Sequence, residues 1–221
     1  MPEIVLTADG SHSVYSDFFK EQYHSTHGAL QESMHVFIRA GLEPLCTSKE
    51  EINLLEIGFG TGLNALLTAL IAEEHEKKIQ YITIEKFPLD NEIHKQLDFC
   101  SIIQKQNCTQ TYEKIYTATW NQEVEISPFF LLQKLEMNIE SVAFNNYFDS
   151  IYFDAFSPTT QPELWTESIF KNMFQSLKVN GHLVTYCAKG EVKRTLKKVG
   201  FVVENLDGPK GKREMIIALK K

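Results

Sequence analysis

An apolar run, Asn53 to Ile57, ends in Gly58-Phe59-Gly60-Thr61-Gly62 and passes directly into a helical stretch, Leu63 to Glu76. Three glycines in five positions let the backbone turn sharply and leave room for a ligand to lie against the main chain where the helix begins. A strand, a glycine turn and a helix in that order commit the chain to an α/β sheet. Short apolar runs then alternate with helical stretches: a strand at Tyr81 to Glu85, a helix at Asp90 to Ile103, and strands at Glu113 to Thr117, Ser150 to Asp154, Gly181 to Cys187, Phe201 to Leu206 and Glu214 to Leu219. Helices are expected at Glu163 to Leu177 and Gly190 to Val199, and in the leading segment at Asp17 to Lys20 and Gly28 to Gly41. The alternation is the sequence form of βαβ units with a mostly parallel sheet. Between the last two strands, Asp207-Gly208-Pro209-Lys210-Gly211-Lys212 is a turn-rich connection that suits an antiparallel hairpin.

A dinucleotide fingerprint spells G-x-G-x-x-G, whereas here the third glycine comes one position early, which favours a nucleoside over a pyrophosphate. Glu56 precedes the first glycine, where an acid either faces the cationic amino group of a methionine moiety or stays solvated at a strand end. Glu85 ends the second strand and can accept two hydrogen bonds from a ribose diol, or be an ordinary exposed acid. The strand at Ser150 delivers Asp154, then the loop Ala155-Phe156-Ser157-Pro158, to the sheet edge where open α/β sheets bind ligands. A carboxylate there can orient an amine nucleophile or lower the cost of a sulfonium charge, or simply cap the following turn. Phe59, Phe87, Phe156, Trp165 and Tyr186 stand near these loops, where a ring either stacks on adenine or a nucleobase or, as most aromatics do, packs in the core; Phe59 and Phe156, inside motif loops, favour stacking.

At 221 residues with 43% apolar content the chain suits one domain, 1–221, with 1–45 as an extension packed on the core. No apolar run is long enough to span a bilayer, so a soluble, cytoplasmic protein is expected. Cys46, Cys100, Cys108 and Cys187 form no C-x-x-C pair and are expected to be reduced packing thiols. The seven histidines form no H-E-x-x-H pattern, His24 and His27 are read as surface or structural, and no metal is expected. The net charge of −7 is uneven: residues 1–177 carry 11 Lys and Arg against 25 Asp and Glu, residues 178–221 carry 11 against 4. The basic end, with Lys189, Lys193, Arg194, Lys197, Lys198, Lys210, Lys212 and Arg213, either tracks phosphates or is a solvated helix face with a charged tail.

Longer words in the sequence carry a family resemblance. Tyr23-His24-Ser25, Gly28 to Ser33, Val36-Phe37, Leu55 to Asn64, Ile84-Glu85-Lys86-Phe87-Pro88-Leu89, Tyr152 to Pro158, Pro162-Glu163-Leu164-Trp165, Thr185 to Gly190 and Gly208 to Met215 together resemble the MnmC-like tRNA methyltransferase family over nearly the whole chain. The resemblance implies a class I, Rossmann-like α/β fold ending in an antiparallel hairpin. It also implies S-adenosylmethionine as cofactor and methylation of the aminomethyl nitrogen on C5 of a tRNA wobble uridine. A cofactor-binding set of Glu56, Gly58, Phe59, Gly60, Thr61, Gly62, Asn64, Glu85 and Lys86 follows from it, with Asp154 meeting the substrate amine. Phe156, Lys189, Lys193, Arg194, Lys212 and Arg213 are the expected substrate-binding residues. Bifunctional members also carry an FAD-dependent oxidase, for which these residues leave no room, so FAD is not expected and other enzymes are expected to make the amine. Two rival readings keep the fold: a methyltransferase for a small amine, and a non-catalytic RNA- or partner-binding protein that retains the pocket.

Overall fold

The computed structural model describes residues 2–221. Its core is an eight-stranded sheet in the order β10-β11-β9-β8-β4-β5-β7-β6. In chain order the strands are β4 (Glu51–Ile57), β5 (Lys78–Glu85), β6 (Glu123–Ser127), β7 (Phe130–Glu136), β8 (Phe148–Phe153), β9 (Leu177–Thr185), β10 (Val202–Asp207) and β11 (Glu214–Leu219). Pairs β4/β5, β4/β8, β5/β7 and β8/β9 are parallel, whereas β6/β7, β9/β11 and β10/β11 are antiparallel. The strand order reverses between β4 and β8, and the crevice beyond the carboxyl ends of those two strands is where such sheets bind ligands.

Side chains alternate faces along each strand, and two hydrophobic layers result. Ile52 and Leu54 pack with Tyr81, Tyr152 and helix α3 (Leu63–Glu74) on one face. Leu55 and Ile57 pack on the other with α7 (Glu167–Ser176) and α8 (Gly190–Val199). Every residue of α3 from Leu63 to Ala72 is buried, which is why that helix is apolar all round rather than striped. By contrast α8 buries only Val192 and Leu196 and turns Lys197 and Lys198 to solvent.

Several elements differ from the sequence expectation. Glu113 to Thr117 is not a strand but the end of helix α6 (Cys108–Thr117): Cys108, Thr111, Tyr112 and Ile115 recur at helical spacing and are all buried. Asp90 to Ile103 is broken into α4 (Asn91–His94) and α5 (Cys100–Ile103). The hairpin β6/β7 lies outside the expected strands, and Lys134 occupies an inward position of β7 that an apolar pattern would fill. Its ammonium donates to the Tyr116 carbonyl at 2.8 Å and lies 4.7 Å and 5.1 Å from the ring centres of Trp120 and Phe59. Burial pulls its pKa down to about 8. Cys100 and Cys108 are joined in a disulfide instead of being free, because the short loop after α5 folds the two sulfurs together, while Cys46 and Cys187 are buried thiols.

The leading segment is also built differently. Asp17 to Lys20 is a turn, not a helix, between β2 (His12–Ser16) and β3 (Glu21–Gln22), which with β1 (Glu3–Leu6) make a three-stranded antiparallel sheet. Helix then runs from α1 (Ala29–Ser33) through a π-helical stretch, Met34–Leu42, into α2 (Glu43–Cys46). Among the described residues no helix is long and apolar enough to cross a membrane.

At the amino ends of the central strands, Asp149 is a buried carboxylate that ties three strands together. It accepts the Asn53 N–H at 2.8 Å and pairs with Lys178 at 2.8 Å and Lys49 at 3.0 Å. Burial alone would raise its pKa, but the Asn53 and lysine hydrogen bonds outweigh that and hold it below the ordinary carboxylate value. Asp149→Ala should lose about 3 kcal/mol of stability in urea unfolding. Because the folded carboxyl is the stronger acid, the advantage of the wild type should be full at neutral pH and fade as pH falls through and below the usual carboxylate range.

Candidate functional site

The crevice at the β4/β8 switch point opens into a cavity of about 580 Å³. Its floor is the glycine turn. Gly58 has φ of +91°, and a Cβ there would stand 2.5 Å from the carbonyl oxygen of Asp154. That contact allows no side chain, so glycine is required for β4 and β8 to end side by side. The Asp154 N–H donates to the Ile57 carbonyl at 3.0 Å and locks the two strand ends together. Gly60, at φ +50°, would set a Cβ 2.9 Å from the Tyr23 ring, so the loop and the leading segment also meet closely.

Glu85, at the end of β5, accepts N–H groups from Phe87 at 2.8 Å and Gly60 at 3.3 Å, bracing the turn. Burial raises its pKa, with those N–H groups opposing. It lines the cavity, as do Gly58, Phe59, Gly60, Thr61, Asn64 and Lys86 from the expected cofactor set. Phe59 turns its ring into the core, against Trp120 and His94, rather than presenting a stacking face. Lys86 is an exposed side chain at the mouth.

Glu56 does not reach the cavity. Strand alternation puts it on the α3 face with Ile52 and Leu54, fully buried, where Thr83 donates to it at 2.7 Å. Burial raises its pKa to about 8, opposed by the Thr83 bond and aided by the charge of Asp154, so at neutral pH it is mostly protonated. Its carboxyl therefore stands behind the cavity wall and not in the lining. Asn64 lines the cavity and its amide donates to Asp154 at 2.8 Å, while its carbonyl oxygen and Glu56 Oε1 are both buried without a protein hydrogen-bond partner among the described residues.

Asp154 lies in the cavity wall. Burial and the nearby charge of Glu32 push its pKa up to about 7, against the opposing Asn64 hydrogen bond and the Lys212 charge. The two charged neighbours are themselves paired: Lys212, from the β10/β11 loop, donates to Glu32 of α1 and sits 3.7 Å from the ring centre of Tyr186. Tyr186 in turn donates to the Ala155 carbonyl at 2.8 Å, and Trp165 to the Phe156 carbonyl at 2.8 Å, fixing the loop that follows Asp154.

Of the expected substrate-binding residues, Phe156 and Lys212 line this cavity. Lys189 instead donates to Thr159 at 2.6 Å, Lys193 is paired with Glu214 at 2.6 Å, and Arg194 and Arg213 are exposed outside the cavity. Tyr23, His24 and Glu32, outside the expected site set, also line the walls, as does Tyr186, one of the candidate aromatics. His24 lies within hydrogen-bonding distance of Ser13 at 3.1 Å and Thr61 at 3.3 Å, and burial pulls its pKa down to about 4, so it is a neutral structural link. Tyr23, His24 and Glu32 occur inside the family words, but no spacing rule connects them to a turn that begins at residue 58. Among the described residues no group of three or more His, Cys, Asp or Glu side chains could hold a metal.

A family model described as S-adenosyl-L-methionine-dependent methyltransferase matches residues 103–221. This chain belongs to that family. Its methyl donor is S-adenosylmethionine. The methyltransferase is 30% identical to a tRNA 5-methylaminomethyl-2-thiouridine biosynthesis bifunctional protein MnmC of Actinobacillus pleuropneumoniae, covering 96% of this chain and 34% of the relative. It is 29% identical to the protein of the same name from Burkholderia thailandensis, covering 97% and 34%. The chain therefore spans about a third of the length of these curated relatives. Among solved structures it superposes on MnmC2 from Aquifex aeolicus with a TM-score of 0.79, at 26% identity over 100% of this chain and 71% of that one. Spermidine synthase from Thermotoga maritima shares the fold, with a TM-score of 0.62 at 16% identity, over 100% and 69%.

The glycine turn and the braced Glu85, lining one cavity, suit a nucleoside. Gly58→Ala should weaken S-adenosylmethionine binding by about tenfold or more, equivalent to ~1.4 kcal/mol, in isothermal titration. An unchanged affinity would mean that the turn tolerates the clash and is not the cradle.

Proposed function

We propose that the chain methylates the aminomethyl nitrogen on C5 of a tRNA wobble uridine, converting 5-aminomethyl-2-thiouridine to 5-methylaminomethyl-2-thiouridine. The observation that carries this reading is Asp154, a carboxylate with a pKa raised to about 7, at the wall of the cavity beside the glycine turn. The names of the relatives that match the chain from end to end supply the acceptor.

The cofactor, when bound, supplies a methyl group already activated by a positive sulfonium. In this reading Gly58, Gly60 and Thr61 would hold its nucleoside and tail, and Glu85 its ribose diol. The protein's own work is to deliver a neutral amine in line with that carbon and to meet the charge that develops on nitrogen. Asp154 would accept a hydrogen bond from the amine, orient its lone pair and take up the proton released when the new N–C bond has formed. Asn64 keeps one carboxylate oxygen occupied and leaves the other for the amine. Lys212, held by Glu32, offsets the cost of keeping Asp154 ionised. The acceptor base would be splayed out of the anticodon loop into the cavity, as enzymes that act on bases require, with Phe156 as a stacking surface.

The direct test is methyl transfer by the purified protein to tRNA carrying 5-aminomethyl-2-thiouridine, read by nucleoside mass spectrometry. Formation of the methylaminomethyl nucleoside is expected; methylation of a free small amine with the tRNA untouched would overturn the acceptor. For Asp154 the acceptor of the hydrogen bond is the ionised form, so kcat/KM should fall as pH drops through about 7. Asp154→Asn should lower kcat about 100-fold and remove that limb of the profile. A variant that keeps the limb would exclude Asp154 as its source.

A further inference from the structure

The cavity mouth carries a row of rings whose outer members, Phe18 and Phe87, stand in solvent. Phe18, in the turn between β2 and β3, is 77% exposed, and Phe87, after β5, is 45% exposed. Phe18 lies 5.7 Å from Phe87 and 4.8 Å from Phe19, Phe19 lies 4.6 Å from Phe156, and Phe156 lies 4.9 Å from Tyr23. All but Phe18 line the cavity, so the row runs without a break from solvent to the wall that holds Asp154. Two exposed lysines flank it at the mouth: Lys20, next to Phe19, and Lys86, whose ammonium is 5.1 Å from the centre of the Phe87 ring.

We propose that this row is a stacking platform for single-stranded RNA, taking the nucleotide next to the methylated base, with Lys20 and Lys86 on its phosphates. The proposal rests on the tRNA reading above and adds a surface to it. Three observations select that occupant. An exposed phenylalanine in a tight turn leaves apolar area in water, which a flat base would cover. Exposed rings flanked by two exposed cations, Lys86 and Lys20, the latter 3.8 Å from Asp17, match the chemistry of a single strand, whose bases stack while its phosphates seek positive charge. The platform is also continuous with the cavity, so a base entering toward Asp154 brings its neighbour in the strand onto Phe18 and Phe87. The inner rings, Phe19, Phe156 and Tyr23, hold the small sheet against the Asp154 loop, whereas the outer pair makes little contact that the fold needs.

The test uses the full chain and a fluorescein-labelled anticodon stem-loop RNA, with affinity read by anisotropy. Phe18→Ala should weaken binding about tenfold, the Phe18→Ala/Phe87→Ala pair more, and Phe18→Trp should restore it, in line with the worth of one base stacked on one ring. S-adenosylmethionine affinity in Phe18→Ala should match the wild type, which separates a lost platform from a damaged fold. RNA affinity unchanged in the double variant would overturn the proposal. So would a concentration-dependent dimer in sedimentation that the double variant abolishes while RNA binding persists, since the rings would then serve a second copy of the chain. The two readings fail differently. Rim-dependent RNA binding without methyl transfer would sink the acceptor assignment and leave the platform. Methyl transfer to tRNA with wild-type KM in the double variant would sink the platform and leave the acceptor.

Discussion

The rest of the site depends on one close approach, the backbone of Gly58 against the carbonyl of Asp154. Parallel strands β4 and β8 are neighbours in the sheet but about ninety residues apart in sequence, and their carboxyl ends meet only because position 58 has no side chain. The Asp154 N–H bond to Ile57 then fixes the register of the ends. From that junction the glycine turn leads into α3 on one side and the Asp154 loop leads away on the other, which creates the crevice. A β-carbon at this point would push apart the two elements that carry the proposed cofactor cradle and the proposed acceptor of the amine proton.

Burial then sets the chemistry of three acids. Glu56, Glu85 and Asp154 stand at the ends of adjacent strands, and each has a raised pKa because its charge is poorly solvated. Their partners separate their roles. Glu56, closed off under α3 where Thr83 donates to it, is mostly neutral at pH 7. Glu85 takes two backbone N–H groups and acts as a brace. Asp154 has one side-chain donor and an open side toward the cavity, with Lys212 tempering the rise. Poising one carboxyl near neutrality beside a charged pair is the arrangement expected where a proton must be accepted.

The walls of the cavity join the two ends of the chain. Glu32 from the leading helix and Lys212 from the final hairpin are paired over Tyr186, and His35 of the leading helix lies 2.7 Å, through Nε2, from the Asp207 carbonyl. The small leading sheet brings Phe19 and Tyr23 onto Phe156. A cofactor motif in the middle of the sequence is therefore completed by segments that flank the core, and the same segments present the exposed rings at the mouth.

The sequence by itself determined the central βαβ order, the glycine turn and the placement of Asp154 and Glu85 at strand ends, because glycine content and apolar runs act over a few residues. It misread Glu113 to Thr117, whose aromatic and β-branched residues favour a strand until the buried helical spacing from Cys108 is seen. It missed β7, where a lysine stands inward because two rings and a carbonyl receive it. The direction of Glu56 was open at the level of sequence. One residue of strand register decides whether an acid faces a ligand or a helix, and only the packed sheet sets that register. The basic end was legible as charge, but ion pairs with Glu32 and Glu214 settle which lysines stay free, and those pairs span distances in sequence that no local pattern encodes. Tertiary structure alone decided the walls of the site, since contacts between the first forty residues and the last ten exist only once the sheet between them has formed.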